Sequence, residues 1–215
     1  LGDLTIGDGT NAGTIDAATN NAAVTLRGNL TIAANAVYAK ASSGNILLAR
    51  GRAQSLTDNT ASKQDIGNVQ VSANTTNTTL NLGSSAKMTS LSIDASQTFS
   101  ANGSNTLTLT GSGAALLVNG TFNQSTGTVN FIGDAATTVP GLTYYNLGVG
   151  TTSDSNAAVT YTLNADSTVQ SILTVGHASS TNSDTLDITN RVLTLSGSGT
   201  PFVITTKGTL SVVGS

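Results

Sequence analysis

Short segments in which apolar and small polar residues alternate recur from one end of this chain to the other. Examples that close on glycine begin at Val24, Leu107, Val129 and Leu193. Side chains two residues apart on a β-strand share a face, so each segment has the pattern of a strand with one apolar and one polar side. The recurrence predicts many short strands in a repeated arrangement.

The spacing of these segments narrows the choice of repeat architecture. Glycines at 83, 111, 133, 150, 176, 197 and 214 close successive segments at uneven intervals. The mean interval of about 22 residues is typical of solenoids, whereas a propeller blade needs about twice that length. A leucine-rich repeat carries a helix-bearing consensus that is missing here. The prediction is a right-handed parallel β-helix of roughly eight to ten coils, about 22 residues each.

Composition supports strands and tight turns. All eleven acidic residues are Asp, and charged residues make up only 9% of the 215. Thr suits a pleated surface, while Asn, Asp and Gly suit turns. The chain has no Cys, which excludes disulfides, cysteine zinc sites and a thiol nucleophile. A net charge of −3 argues against a nucleic-acid partner, and no apolar run is long enough for membrane insertion.

We expect residues 1–215 to form one solenoid domain with an inserted loop around 50–66. Half of the basic residues, Lys40, Arg50, Arg52 and Lys63, lie in the 40–66 region, where the alternation fades. The predicted buried column consists of Leu80, Leu82, Leu91, Ile93, Leu107, Leu109, Leu117, Val129, Phe131, Leu147, Val149, Leu163, Val169, Leu173, Val175, Leu186, Ile188, Leu193, Leu195, Leu210 and Val212.

Both ends of the chain have strand patterns. The first contains Leu4 and Ile6, and the last contains Leu210 and Val212. An open coil exposes strand edges and apolar core, which solenoids normally cover with a cap. We therefore expect a segment of a longer chain or a protomer that stacks end to end through these residues. An irregular loop cap is the alternative.

The candidates for catalysis and metal binding are few. His177 is the single histidine, and it lies near Asp184 and Asp187. These two acids have two residues between them, so on a strand they face opposite sides, whereas glycosidases need two converging carboxylates. Asp3, Asp8 and Asp16 offer oxygen ligands that suit calcium, but turn formation is the simpler role. The sequence predicts no catalytic residue, no metal and no cofactor.

One strand suggests a further alternative, ice binding. Thr106, Thr108 and Thr110 alternate with leucines and so share an outer face. Several β-solenoids bind ice through threonines repeated in register on many coils. Other strands place Asn130 and Ile132 at the corresponding outward positions. The regular lattice is therefore not expected.

The segments Gly127–Gly133 and Val139–Leu147 resemble the recurring unit of large bacterial secreted proteins, the filamentous-haemagglutinin-like and autotransporter-like β-helix adhesins. The resemblance implies an extracellular stalk, fibre or adhesin segment, not an enzyme, with itself, neighbouring surface proteins or surface glycans as partners. A carbohydrate-active β-helix, binding or cleaving polysaccharide, is the alternative. Tyr144, read from the alternation as pointing outward, is the candidate glycan contact, and Arg50 and Arg52 are candidates for an acidic partner.

Overall fold

The computed structural model describes residues 2–152 and 158–212. Throughout these residues the chain forms short strands and no helix, and the strands pair in parallel on every face. The predicted all-β solenoid is confirmed. No helix in the described part is long and apolar enough to cross a membrane.

The strands stack into three faces, and successive strands along the chain visit face 1, face 2 and face 3 in turn, except in one coil that has no strand on face 2. Face 1 consists of β1 (Leu4–Ile6), β4 (Leu30–Ile32), β7 (Ala53–Asp58), β9 (Thr79–Leu82), β12 (Thr98–Ser100), β15 (Thr121–Asn123), β18 (Thr143–Tyr144), β21 (Ser167–Val169) and β24 (Leu193–Leu195). Face 2 consists of β2 (Thr14–Asp16), β5 (Val37–Ala39), β10 (Ala86–Met88), β13 (Thr106–Leu109), β16 (Thr128–Phe131), β19 (Asn146–Val149), β22 (Leu173–Val175) and β25 (Phe202–Ile204). Face 3 consists of β3 (Val24–Leu26), β6 (Asn45–Leu48), β8 (Asn68–Val71), β11 (Ser90–Ile93), β14 (Leu116–Val118), β17 (Thr137–Val139), β20 (Thr160–Leu163), β23 (Asp184–Asp187) and β26 (Gly208–Ser211).

Each face contains one break in its strand ladder, and local contacts connect the coils on the two sides of each break. On face 2 the bridge from Asp65 to Lys87 takes the place of a strand, and on face 3 Gly113 bridges to Thr137. On face 1 the ring of Phe122 packs edge-on against that of Tyr144, with centroids 6.3 Å apart. The coils therefore follow one another without a gap in the described part.

The coils differ in length. Paired residues on adjacent coils are as close in sequence as Val129 and Leu147, and as distant as Leu173 and Phe202. The mean step is about 24 residues, so the expected period was slightly short, and the described strands make about eight coils. Corners absorb the variation because only the strands must stay in register. Right-handed coiling remains a prediction.

The core is the predicted apolar column for most of its length. Fifteen of the predicted residues are fully buried: Leu80, Leu82, Leu91, Ile93, Leu107, Leu109, Val129, Phe131, Leu147, Val149, Leu163, Val169, Leu173, Val175 and Leu186. The other predictions of full burial were wrong. Leu117 is 48% exposed and Val212 is 62% exposed, while Ile188, Leu193, Leu195 and Leu210 are only partly buried.

Leu117 was misassigned because it lies within the apolar run Leu116-Leu117-Val118, where alternation does not reveal which residues face inward. Its neighbour Leu116 pairs with Leu91 in the buried column, and this register turns Leu117 outward. The partly buried leucines belong to the last coil in the described part, which has a neighbouring coil on one side only.

The predicted inserted loop at 50–66 was wrong over six of its residues. Residues Ala53–Asp58 form β7, a six-residue strand inside face 1 that pairs with β4 and β9. Gln54 and Asp58 face the interior and interrupt the apolar pattern. The Gln54 amide donates to the carbonyls of Leu26 and Gly28. Polar residues at inward positions concealed the strand.

Asparagine, aspartate and serine bond one coil to the next at the corners. The Asn21 side-chain oxygen, for example, accepts the backbone N–H groups of Ser43 and Gly44 at 2.7 and 2.9 Å. Asn21 adopts φ of 48°, the left-handed conformation that asparagine tolerates. Where the chain leaves a strand its N–H groups lose their ladder partners, and these side chains supply acceptors.

Candidate functional site

Tyr144 is buried, so the prediction that it points outward as a glycan contact was wrong. Its side chain is fully enclosed, and its hydroxyl donates to the carbonyl of Pro140 at 2.7 Å. Burial raises the pKa of the Tyr144 phenol far above its ordinary value. The ring continues an internal aromatic column in which Phe99 and Phe122 stack with centroids 5.4 Å apart.

A corner explains the error. Alternation turns Tyr144 outward only if Leu142 to Val149 is a single strand, but β18 ends at Tyr144 and β19 begins at Asn146. Tyr145 lies between two faces, so the inward positions shift by one residue across it. Tyr145 is half-buried, and it is Tyr144 that shares the interior with Val169 of the next coil.

Three of the four cations in the 40–66 region have internal partners. Lys40 forms an ion pair with Asp65 and donates to Thr89 at 2.8 Å. Arg50 donates to the Asn29 side chain at 2.9 Å, and Lys63 donates to backbone carbonyls of its own turn. Arg52 is exposed. The structure therefore does not bring Arg50 and Arg52 together as a pair of solvent-facing cations.

The Asp65 carboxylate links its own coil to three others. It accepts from Lys40 on the preceding coil, from Thr89 on the following one and from Thr110 one coil further, at 2.6 Å for Thr110. Burial alone raises the pKa of Asp65, but the bonds from Lys40, Thr110 and the Gly67 N–H outweigh it and hold the pKa below its ordinary value. This cluster stabilises the corner and leaves the carboxylate fully bonded.

The candidate calcium ligands lie at separate turns. Asp8 accepts the N–H groups of Thr10 and Asn11, and these bonds lower its pKa to about 2. Asp16 accepts equivalent bonds from Ala18 and Thr19, and Asp3 accepts the Asn29 N–H. No group of three or more acidic, histidine or cysteine side chains converges within the described residues.

His177 and its two neighbouring acids also have local partners. The His177 Nδ1 atom accepts the Ser179 N–H at 3.2 Å, within its own turn. On β23, Asp184 is buried and accepts the Val159 N–H at 3.0 Å, while Asp187 is partly exposed and accepts from Thr189. The two carboxylates thus lie on opposite sides of one strand, as their spacing predicted.

The threonines are more regular on face 1 than on face 2. The outward row through Thr108 continues as Asn130, Gly148, Thr174 and Val203, changing residue type at nearly every coil. On face 1 two sets of three threonines stack in register. The first set is Thr79, Thr98 and Thr121, and the second is Thr143, Thr168 and Thr194. The next outward residues on the strands of the first trio are Asn81, Ser100 and Asn123, so the row of aligned threonines is only one residue wide.

The residues predicted at the two assembly ends lie on different faces. Leu4 and Ile6 belong to β1 on face 1, whereas Leu210 belongs to β26 on face 3, with Val212 immediately beyond it. An in-register joint between coils would therefore place β1 against β24 and β3 against β26.

Two shallow recesses were not predicted. One, of about 400 Å³, lies along Thr143, Thr168 and Thr194 and includes Asp166. The other, of about 320 Å³, lies on face 2 around Gly148. Glycine at an outward strand position is a sequence signal for the second recess, since it leaves a gap in a row of side chains.

Comparisons with protein-family models, curated proteins and solved structures found no match.

Proposed function

We propose that this chain is a rigid segment of a bacterial extracellular surface protein, a β-solenoid stalk, fibre or adhesin segment similar to filamentous-haemagglutinin-like and autotransporter-like proteins. It holds or displays binding surfaces and carries out no catalysis.

The proposal depends mainly on how the polar side chains are used. Carboxylate and amide oxygens that a hydrolase would direct at a substrate instead accept N–H groups from an adjacent coil. Asn164 accepts from Gly141 at 3.0 Å, Asp166 from Val192 at 2.9 Å, and Asp184 from Val159 at 3.0 Å. Such bonds add to the ladders on all three faces. At about 4.8 Å per coil, eight steps give a rod of about 40 Å.

Surface location is tested on cells. Antibodies raised against the 215-residue chain should label intact cells of the source organism, and external protease should remove the label. An antibody against a cytoplasmic protein is the control for cell integrity. Labelling that appears only after the cells are permeabilised would overturn the extracellular part of the proposal.

Self-association is the second part of the proposal. The last described coil leaves the inward side chains Leu193, Leu195, Phe202 and Leu210 partly exposed, and the first leaves Leu4, Ile15 and Val24 partly exposed. Both coils have three strands in the same face order. A second copy in register covers these side chains and pairs the strand edges, and because the contact is head-to-tail it extends into a filament.

The joint is tested by light scattering over a range of protein concentrations. Leu210→Lys places a charge on the inward side of the joint and should reduce the average mass. Thr209→Lys is the matched control, because Thr209 is exposed and faces outward. A wild-type chain that remains monomeric at every concentration would rule out stacking and leave the stalk role standing.

Ice binding is a second candidate function, favoured by the two trios of face 1 threonines. Their repeat follows the strand spacing of about 4.8 Å. Thermal hysteresis and ice shaping should then be lost in Thr121→Lys and Thr168→Lys and retained in Thr108→Lys on face 2. A wild-type chain that leaves ice crystals unshaped would exclude this function.

A further inference from the structure

Gly148 creates a gap in the outer surface of face 2. It pairs with Asn130 on the preceding coil and with Thr174 on the following one, and all three occupy outward positions of their strands. The backbone of Gly148 therefore forms the floor of a recess between two side chains. The volume is about 320 Å³, at the lower end of the range typical of small-molecule sites.

Asn130 leans over this floor. A methyl group added to Gly148 would overlap the Asn130 side-chain oxygen and would lie 2.8 Å from the Thr151 methyl group. Within the described part of the chain, the Asn130 amide and the Thr174 hydroxyl have no side-chain hydrogen bond. An amide offers two donor hydrogens and an acceptor oxygen, and a hydroxyl offers one donor and an acceptor. These groups are therefore available to a ligand in the recess.

The opposite side of the recess is held in place by its own bonds. The Asn146 oxygen accepts the Ile172 N–H at 3.1 Å, and the Asn146 amide donates to the Thr128 hydroxyl at 3.3 Å. These bonds fix the wall before any ligand arrives, which reduces the entropy lost on binding. Ile172 is 42% exposed and adds an aliphatic surface at the rim.

The chemistry of the lining indicates the ligand class. Among the described residues no charged side chain lines the recess, and its polar groups are amides and hydroxyls that both donate and accept. Adjacent hydroxyls of a sugar ring also donate and accept, and the C–H groups of the ring can pack on Ile172. An ionic ligand would meet no opposite charge in this lining.

We propose that the recess around Gly148 binds one unit of a neutral polysaccharide. The site gives a ligand class to the adhesive role proposed above and rests on that role for its biological meaning. In this proposal the recess around Gly148 is the glycan contact, in place of Tyr144. Because the described lining contains no aromatic side chain, the affinity for a single unit is weak, with a Kd on the order of 1 mM.

The test is an NMR titration of the ¹⁵N-labelled 215-residue chain. The probes are neutral oligosaccharides of glucose, galactose, mannose and xylose, with oligogalacturonate as the charged comparison. At least one neutral probe should cause saturable shifts of the Gly148, Ile172 and Thr174 backbone signals and of the Asn130 side-chain NH₂ signal. Oligogalacturonate should cause much smaller shifts.

Two variants separate the site from general effects. Gly148→Ala fills the floor and displaces Asn130, and Asn130→Asp keeps the side-chain shape but removes both donor hydrogens. Each should weaken binding at least about tenfold, the equivalent of about 1.4 kcal/mol. Gly2→Ala is the matched control, because a methyl group there meets nothing within 4 Å, and it should bind like the wild type. Thermal unfolding of each variant verifies that it is folded.

Three results would overturn the proposal. The first is no saturable shift with any neutral probe at a concentration of about 10 mM, ten times the expected Kd. The others are shifts confined to other surfaces and unchanged binding by Gly148→Ala. If titration fails while antibodies label intact cells, the surface role stands and the site is wrong. If titration succeeds while intact cells remain unlabelled, the site stands and the surface role is wrong.

Discussion

Replacing Tyr144 by alanine should destabilise the chain strongly, because its ring fills the space beneath β18 against Phe122. Truncating a fully buried aromatic residue costs about 3–5 kcal/mol. Tyr144→Phe keeps the ring and removes only the hydroxyl that donates to Pro140 at 2.7 Å, which costs about 1 kcal/mol. The two variants therefore separate the contribution of packing from that of the hydrogen bond.

The assay is urea unfolding followed by circular dichroism and by tyrosine fluorescence, since the chain has four Tyr and no Trp. Coincident transitions would justify a two-state free energy, which is a necessary check because repeat proteins often unfold in parts. For a domain of this length each kcal/mol lowers Tm by about 2–4 °C, so Tyr144→Ala should lower it by roughly 6–20 °C.

Tyr145→Ala is the adjacent control. Tyr145 is half-buried at the corner, so its truncation should cost less than that of Tyr144. A surface tyrosine changes stability by no more than about 0.5 kcal/mol when truncated. If Tyr144→Ala stays within that limit, the burial of Tyr144 and the register of β18 are wrong.

Three further predictions concern the corners. The pKa of Asp65 is lower in the folded chain than its value near 3.8 in the unfolded chain, so its carboxylate stabilises the fold above that unfolded value. This stability is lost as the pH falls through the folded pKa. Asp65→Asn should therefore flatten the curve of unfolding free energy against pH in that acid range. Arg50→Ala should cost about 1 kcal/mol through the lost bond to Asn29, whereas Arg52→Ala should stay within about 0.5 kcal/mol, and equal urea midpoints would contradict this difference. Asn21→Gly and Asn21→Ala both lose the corner bonds, but only glycine adopts φ of 48° without strain. Asn21→Ala should therefore be less stable than Asn21→Gly by about 1 kcal/mol. The reverse order in thermal melts would refute the reasoning.

The repeat and the inward positions of most strands could be predicted from the residue types. In Leu107-Thr108-Leu109 the polar residue separates two apolar ones, so one arrangement buries both leucines, as the structure has it. The pattern failed where residue type did not distinguish the two sides of a strand. Leu117 lies between two apolar residues, and β7 has Gln54 at an inward position.

Tertiary structure decided the corners and the alignment of the coils. Tyr144 faces inward because the chain changes face at Tyr145, and local sequence does not mark that change. The recess depends on Gly148 lying between Asn130 of the preceding coil and Thr174 of the following one. Residue types alone determined the strand pattern because alternation is local. Contacts between coils depend instead on corner lengths, which differ from coil to coil and are set only when the strands stack in register.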